Sequence, residues 1–171
     1  GHLTIAVAST ANYFLPRLLA AFCHQHGEVK VSLDVTNREQ LLKGLEENRT
    51  DLVIMGQPPK GMALVAENFM ENPLVVIAAP EHPLAKEKNI PLDKLREETF
   101  LLREQGSGTR SAMERYFTAN TLELSSSLEM SSNEAIKQGV EAGLGLGLVS
   151  LHTLEMELAL KRLVILDVMK F

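Results

Sequence analysis

Four times along this chain a short apolar run ends in a cluster of Ser, Thr, Asn or Gly and gives way at once to residues with helical spacing. The clusters are Ser9-Thr10, Thr36-Asn37-Arg38, Gly106-Ser107-Gly108-Thr109 and Ser131-Ser132-Asn133. A chain that keeps alternating strand, polar turn and helix has few ways to bury both kinds of element. The simplest is a parallel sheet covered by helices, because parallel neighbours need a long crossover between them.

The first such series starts with Leu3 to Ala8, a β-rich run. Leu15, Leu18, Leu19 and Phe22 then recur at the spacing of an amphipathic helix, with Pro16 tolerated in its first turn. Val29 to Val35 alternates like a strand. Thr36 and Glu39 have the spacing of a capping box ahead of Leu41, Leu42 and Leu45. Asp51 to Met55 is the next strand, closed by Gly56-Gln57-Pro58-Pro59, and Ala63 to Phe69 is expected to add an outer one.

Asn72-Pro73 then punctuates the chain before Leu74 to Ala79, a continuous apolar strand where a second lobe is expected to begin. Pro80 to Glu98 reads as loop with a short helix at Leu92–Arg96. Phe100–Leu102 leads into the glycine-serine turn and its helix. Leu128–Met130 leads into a helix opened by a Ser131–Glu134 capping box and stopped by Gly143. Leu146 to Val149 is a strand, Leu151 to Leu160 is helical, and Val164 to Val168 is the last strand. The expected division is a first lobe of residues 1–73 plus 150–171 and a second lobe of 74–149.

At 171 residues the chain has room for two small lobes and a real core. Its 45% hydrophobic and 23% charged residues are those of a globular protein. Charges interrupt every apolar run before it reaches bilayer-spanning length, and no basic-then-apolar leader opens the chain. Gly1-His2 reads as a tag remnant. One cysteine, Cys23, forms no internal disulfide, which suits a reducing compartment, and a cytoplasmic location is expected. The net charge of −5 argues against this chain gripping DNA by itself.

The polar turns are the candidate site. In parallel α/β lobes they all fall at the carboxyl ends of the strands, where ligands bind. Each turn alone is explained as a helix cap. Four together, with Gly106 and Gly108 not needed for capping, point to ligand binding. Helix first-turn amides with hydroxyls beside them favour anions. Arg38, Arg103 and Arg110 add positive charge, the last two flanking the glycine-serine turn. About three or four charge-assisted hydrogen bonds at ~1.5–3 kcal/mol each suffice for micromolar to millimolar binding.

Catalytic signatures are lacking. Cys23-His24-Gln25-His26 closes a helix before Gly27, where histidines complement the helix dipole. His152 has no partner at metal spacing, and Ser107 sits in no G-x-S-x-G elbow. Gly143, Gly145 and Gly147 follow a helix rather than a strand, so they read as a helix stop and close strand packing.

The segments ASTANYFLPRLLAAF from Ala8, VTNREQLLKGLEENRTDLVIMGQPP, NPLVVIAAPEHPLA, FLLREQGSGTRSAMERYF and MSSNEAIKQGVEAGLGLGLVSLHTLEMEL span almost the whole chain. With them the sequence resembles the effector-binding domain of LysR-type bacterial transcriptional regulators. Within that family it is most similar to those controlling the RuBisCO (Calvin-cycle) operons. The motifs NREQ, IMGQPP, RE-x-GSGTR and SSNEAIKQ carry the specificity of the match.

The resemblance implies a type II periplasmic-binding-protein fold of two Rossmann-like lobes joined by crossover strands, with an effector between the lobes. It implies ligand contacts from Ser9, Thr10, Asn37, Arg38, Gly56, Gln57, Arg103, Ser107, Gly108, Thr109, Arg110 and Asn133, and no metal or cofactor. The implied effectors are phosphorylated metabolites such as ribulose bisphosphate or phosphoenolpyruvate, or NADPH. A homodimer or homotetramer is implied, with promoter DNA and RNA polymerase engaged only through the full-length protein. On this resemblance the stretch is expected to lack the family's winged helix-turn-helix and linker helix and to stop short of a further strand and helix that the family pattern places after Phe171, and Gln105 stands where relatives commonly carry proline. Two alternatives stand beside this sensor: a free-standing solute-binding protein of the same fold, and a two-lobed lyase or dehydratase such as the prephenate dehydratases.

Overall fold

The computed structural model describes residues 1–169 and Phe171, and it divides into two compact units, Gly1–Asn72 and Pro73–Phe171. The first unit is built on β1 (His2–Ala8), β2 (Lys30–Thr36) and β3 (Leu52–Ile54), all parallel in the order β2-β1-β3. Helix α1 (Leu15–Gln25) and helix α2 (Arg38–Glu46) make the crossovers. A short 3-10 helix, Ser9–Tyr13, intervenes between β1 and α1, and Pro16 falls in the first turn of α1, where its missing N–H leaves no bond unmade. Alternate β1 residues Ile5 and Val7 bury against Ala11 and Leu15, with Leu33 and Ile54 beside them.

Two expectations fail in this unit. Residues 63–69 form no strand: Val65 is 99% exposed and no neighbouring strand pairs with the segment. An apolar run is not enough without an edge to join, although Phe69 keeps an edge-on ring contact with Phe14. The cap of α2 is Asn37, whose side chain accepts the Gln40 N–H at 3.1 Å. Thr36 is the last residue of β2, paired with Ala8, and so cannot serve as the cap.

The second unit carries a five-stranded sheet in the order β6-β5-β7-β4-β8. Its strands are β4 (Leu74–Ala78), β5 (Thr99–Arg103), β6 (Ser126–Met130), β7 (Leu146–Ser150) and β8 (Val164–Ile165). Strands β5, β6 and β7 run parallel, while β4 is antiparallel to both β7 and β8. Strand alternation sends Phe100 and Leu102 to one face, under Met113 and Phe117 of α3 (Gly108–Ala119). Leu101 goes to the other face, under Ile136 and Val140 of α4 (Asn133–Glu141).

Helix α4 ends as expected. Gly143, at φ +88°, donates to Val140 O, and Leu144 donates to Gly139 O, the two bonds of a Schellman stop. The close packing expected around Gly145 and Gly147 is also present: an added Cβ would lie 2.3 Å from Thr99 O and 2.8 Å from Ile136 Cγ2 respectively. The start of α4 differs by one residue, because Ser132 rather than Ser131 accepts the capping N–H, from Ala135 at 3.0 Å. Glu134 is thereby released to pair with Lys137.

The C-terminal stretch also corrects the sequence reading. Residues 150–171 belong to the second unit, not the first. β8 pairs with β4, and Leu154 and Leu163 are buried in the α4-side core. The last strand is only two residues long, since Val168 instead bridges to Ile90. Residues 151–160 split into a 3-10 turn, Leu151–Thr153, and α5 (Glu155–Ala159).

Candidate functional site

Each unit gathers its predicted residues at the carboxyl edge of its own parallel strands. In the first unit Ala8 and Thr36 end β1 and β2 side by side, so Ser9, Thr10, Asn37 and Arg38 follow directly from that edge. Gly56 and Gln57 follow β3, which lies on the other side of β1. Arg38 ties two of these turns together by donating from Nη1 to the Gln57 carbonyl at 2.6 Å. Thr10 is buried, whereas Gly56 and Gln57 are exposed.

In the second unit Arg103 is the last residue of β5, opposite Met130 at the end of β6, and Asn133 opens α4 just beyond. Ser107 caps α3 by accepting the Arg110 N–H at 3.3 Å. Gly106 makes the turn at φ +91°, a left-handed conformation in which any side chain is strained. Arg103, Ser107 and Asn133 are 5%, 2% and 3% exposed. Groups this buried must be hydrogen-bonded, and they are. Arg103 donates from Nη1 to Asn133 Oδ1 at 2.8 Å, joining β5 to the start of α4.

The arginines are not the open cations that the sequence suggested. Arg103 grips Glu104 with two bonds, Nε to Oε1 at 2.8 Å and Nη2 to Oε2 at 3.3 Å. Arg110 donates to Glu114 at 2.7 Å, to Glu129 at 3.4 Å and to the Arg103 carbonyl at 2.7 Å. Each guanidinium is therefore matched by carboxylates of its own chain. The donors left over are those of the helix start. Among the described residues no hydrogen bond involves the backbone N–H of Gly108 or Thr109, or the Thr109 hydroxyl. Two first-turn amides and a hydroxyl, held by a capped and buried turn, suit an anion chemically.

Sequence reasoning missed two residues here. Glu104 stands beside Arg103 in the RE motif, and that adjacency was the available signal for an ion pair. Lys137 is buried and bonded to Glu134 and Glu157, each at 2.8 Å, and to the Thr153 carbonyl at 2.7 Å. Its signal was a charge on the buried stripe Asn133, Ile136, Lys137, Val140 of α4. The Cys23-His24-Gln25-His26 run lies exposed at the end of α1, where His26 approaches Glu28 at 3.8 Å.

Comparison with known proteins fixes the family. The model of the LysR substrate binding domain matches residues 1–170. This chain belongs to that family. The RuBisCO operon transcriptional regulator of Allochromatium vinosum is 56% identical over all 171 residues, and that of Acidithiobacillus ferrooxidans is 48% identical. These matches take up 57% and 55% of the two regulators, so the chain spans just over half their length. Among solved structures, the regulatory domain of Synechocystis PCC6803 CcmR in complex with 2-PG superposes with a TM-score of 0.96 at 45% identity. That match covers all of this chain and 82% of the CcmR chain. The fold is therefore the two-part α/β architecture of LysR effector-binding domains, as the resemblance implied.

Proposed function

We propose that this LysR domain senses a small phosphorylated anion and that 2-PG, 2-phosphoglycolate, is the first ligand to test. The observation that carries the reading is the unengaged pair of amides and the Thr109 hydroxyl at the start of α3. A phosphoryl group offers several acceptor oxygens to such a donor set. The likeness to a regulatory domain solved with 2-PG supports the same chemistry. Ser107 and Gly106 hold the turn, and Arg103 orients Asn133 beside it. Ser9, Thr10, Asn37, Arg38, Gly56 and Gln57 are assigned as a second set of effector contacts, at the strand edge of the first unit.

In the intact regulator the role would be transcriptional control of carbon-fixation genes by an oligomer acting on promoter DNA and RNA polymerase. The effector would act by population shift, stabilising whichever conformation binds it more tightly. Sensing, not turnover, is the proposed activity. Calorimetric titration of the chain with 2-PG, ribulose bisphosphate, phosphoenolpyruvate and NADPH, using glycolate as the unphosphorylated control, tests the reading. Saturable binding of at least one phosphorylated compound, about tenfold or more tighter than glycolate, is expected. Equal binding of glycolate and all four would refute the phosphate assignment, and conversion of a ligand by the pure chain would refute sensing alone.

A further inference from the structure

The buried guanidinium of Arg103 offers a carboxylate or phosphate one preferred docking edge, the Nε–Nη2 fork, where two parallel N–H groups meet two oxygens. In this chain Glu104 already occupies that fork, with one oxygen at 2.8 Å and the other at 3.3 Å. The remaining edge is turned to Asn133 through Nη1. The pair is largely withdrawn from water, with Arg103 side-chain exposure of 5% and Glu104 of 23%. Glu104 is therefore an acidic side chain in the position an effector's anionic group would take. It also opens the turn: its carbonyl accepts the Ser107 N–H at 3.2 Å, so the acid and the capped helix start are parts of one loop.

We propose that Glu104 is a competing internal anion that sets the affinity of the effector site by holding Arg103 until an effector's anion displaces it. This rests on the reading that the α3 turn binds a phosphorylated effector. A dianionic phosphoryl group attracts the guanidinium more strongly than a single carboxylate does, whereas a monoanionic carboxylate ligand only matches what Glu104 already supplies. The arrangement thus sets a threshold: an anion that only matches Glu104 gains little by replacing it. Other carboxylates near the turn do not share this role. Glu114 pairs with Arg110 on the exposed side of α3, and its own side chain is 47% exposed.

The test is titration of the whole chain with 2-PG and with glycolate, comparing the parent with Glu104→Gln, Glu104→Ala and Glu114→Gln. Glu104→Gln keeps the shape and one acceptor for Arg103 while removing the charge. It is expected to tighten 2-PG about fivefold or more and to tighten glycolate by a similar or smaller factor, because every ligand that needs the fork must displace the same internal anion. Glu114→Gln removes the same charge from the neighbouring arginine and should change either affinity less than about twofold. Equal gains in Glu104→Gln and Glu114→Gln would mean that only net charge matters, and would overturn the competition. So would unchanged or weaker 2-PG binding in both Glu104 variants with the melting temperature preserved, which would make Glu104 a support for Arg103 instead. If Glu104→Gln folds poorly, the same comparison is read from Glu104→Ala. Failure of the parent to bind 2-PG or any other phosphorylated ligand is a different outcome. It removes the functional reading, and the competition with it.

Discussion

Ser107 and Thr109 stand two residues apart in one turn, yet substitution at each asks a different question. Ser107 is 2% exposed and its hydroxyl oxygen accepts the Arg110 N–H, so it already holds the start of α3. Ser107→Ala is expected to cost about 1 kcal/mol of stability, the ordinary value of an N-cap, measurable by urea denaturation. Any loss of effector binding in that variant is then mixed with a loosened helix. Thr109 carries no such duty, because its hydroxyl makes no hydrogen bond among the described residues. Thr109→Val conserves shape and removes the hydroxyl. It is expected to leave the melting temperature unchanged and to weaken 2-PG binding by about tenfold, read by calorimetry. An unchanged affinity would place the phosphate contacts elsewhere. Thr109 was legible in the sequence as part of the glycine-serine turn. The saturation of Arg103 and Arg110 was not, since a sequence shows which charges are neighbours but not which of them meet.

Helix α4 shows how one element joins the site to the rest of its unit. Its first residue, Asn133, receives the Arg103 guanidinium, and one turn later Lys137 reaches the Thr153 carbonyl and Glu157. A lysine this buried is tolerated because two carboxylates and a carbonyl surround it. Lys137→Met would leave Glu157, itself 16% exposed, without its cation. We expect a loss of about 3 kcal/mol in denaturation measurements, of which Lys137→Met/Glu157→Gln should recover part. No recovery would show that the lysine contributes packing rather than charge. The helix itself was readable from Ile136, Val140 and the Gly143 stop. Its cap was displaced by one residue because Ser131 and Ser132 are equally good candidates by composition. The fold decides between them, with Ser132 extended at φ −152° and its hydroxyl accepting the Ala135 N–H. A similar displacement from Thr36 to Asn37 has its own cause: strand pairing with Ala8 claims Thr36 first. Residues 63–69 failed for another reason, since an apolar run forms a strand only where a partner strand exists.

At the scale of the whole chain, βα alternation does not reveal the destination of the C-terminus, which falls within the unit Pro73–Phe171. Val164 and Ile165 are apolar enough for any sheet, and it is register with Ile77 and Ala78 that seats them in the second unit. The consequence is an asymmetry of cores. Pro73–Phe171 buries clusters on both faces of a five-stranded sheet, including Phe100, Phe117, Ile136 and Leu163. Gly1–Asn72 has a three-stranded sheet and a single small cluster around Ile5, Val7, Ala11 and Leu15. A unit near the lower size limit whose other sheet face adds little beyond Ala6 and Leu41 is marginal, because little apolar surface offsets the entropy of ordering the chain. Residues 73–171 produced alone are therefore expected to unfold in one cooperative urea transition, followed by circular dichroism. Residues 1–72 alone should show a broad, non-cooperative change. Leu154→Ala, which empties a fully buried site in the α4-side core, should lower the midpoint of the 73–171 fragment by the equivalent of about 2–5 kcal/mol. A cooperative transition in residues 1–72 would overturn the marginality of the first unit, and none in 73–171 would show that the last twenty or so residues do not complete the second core.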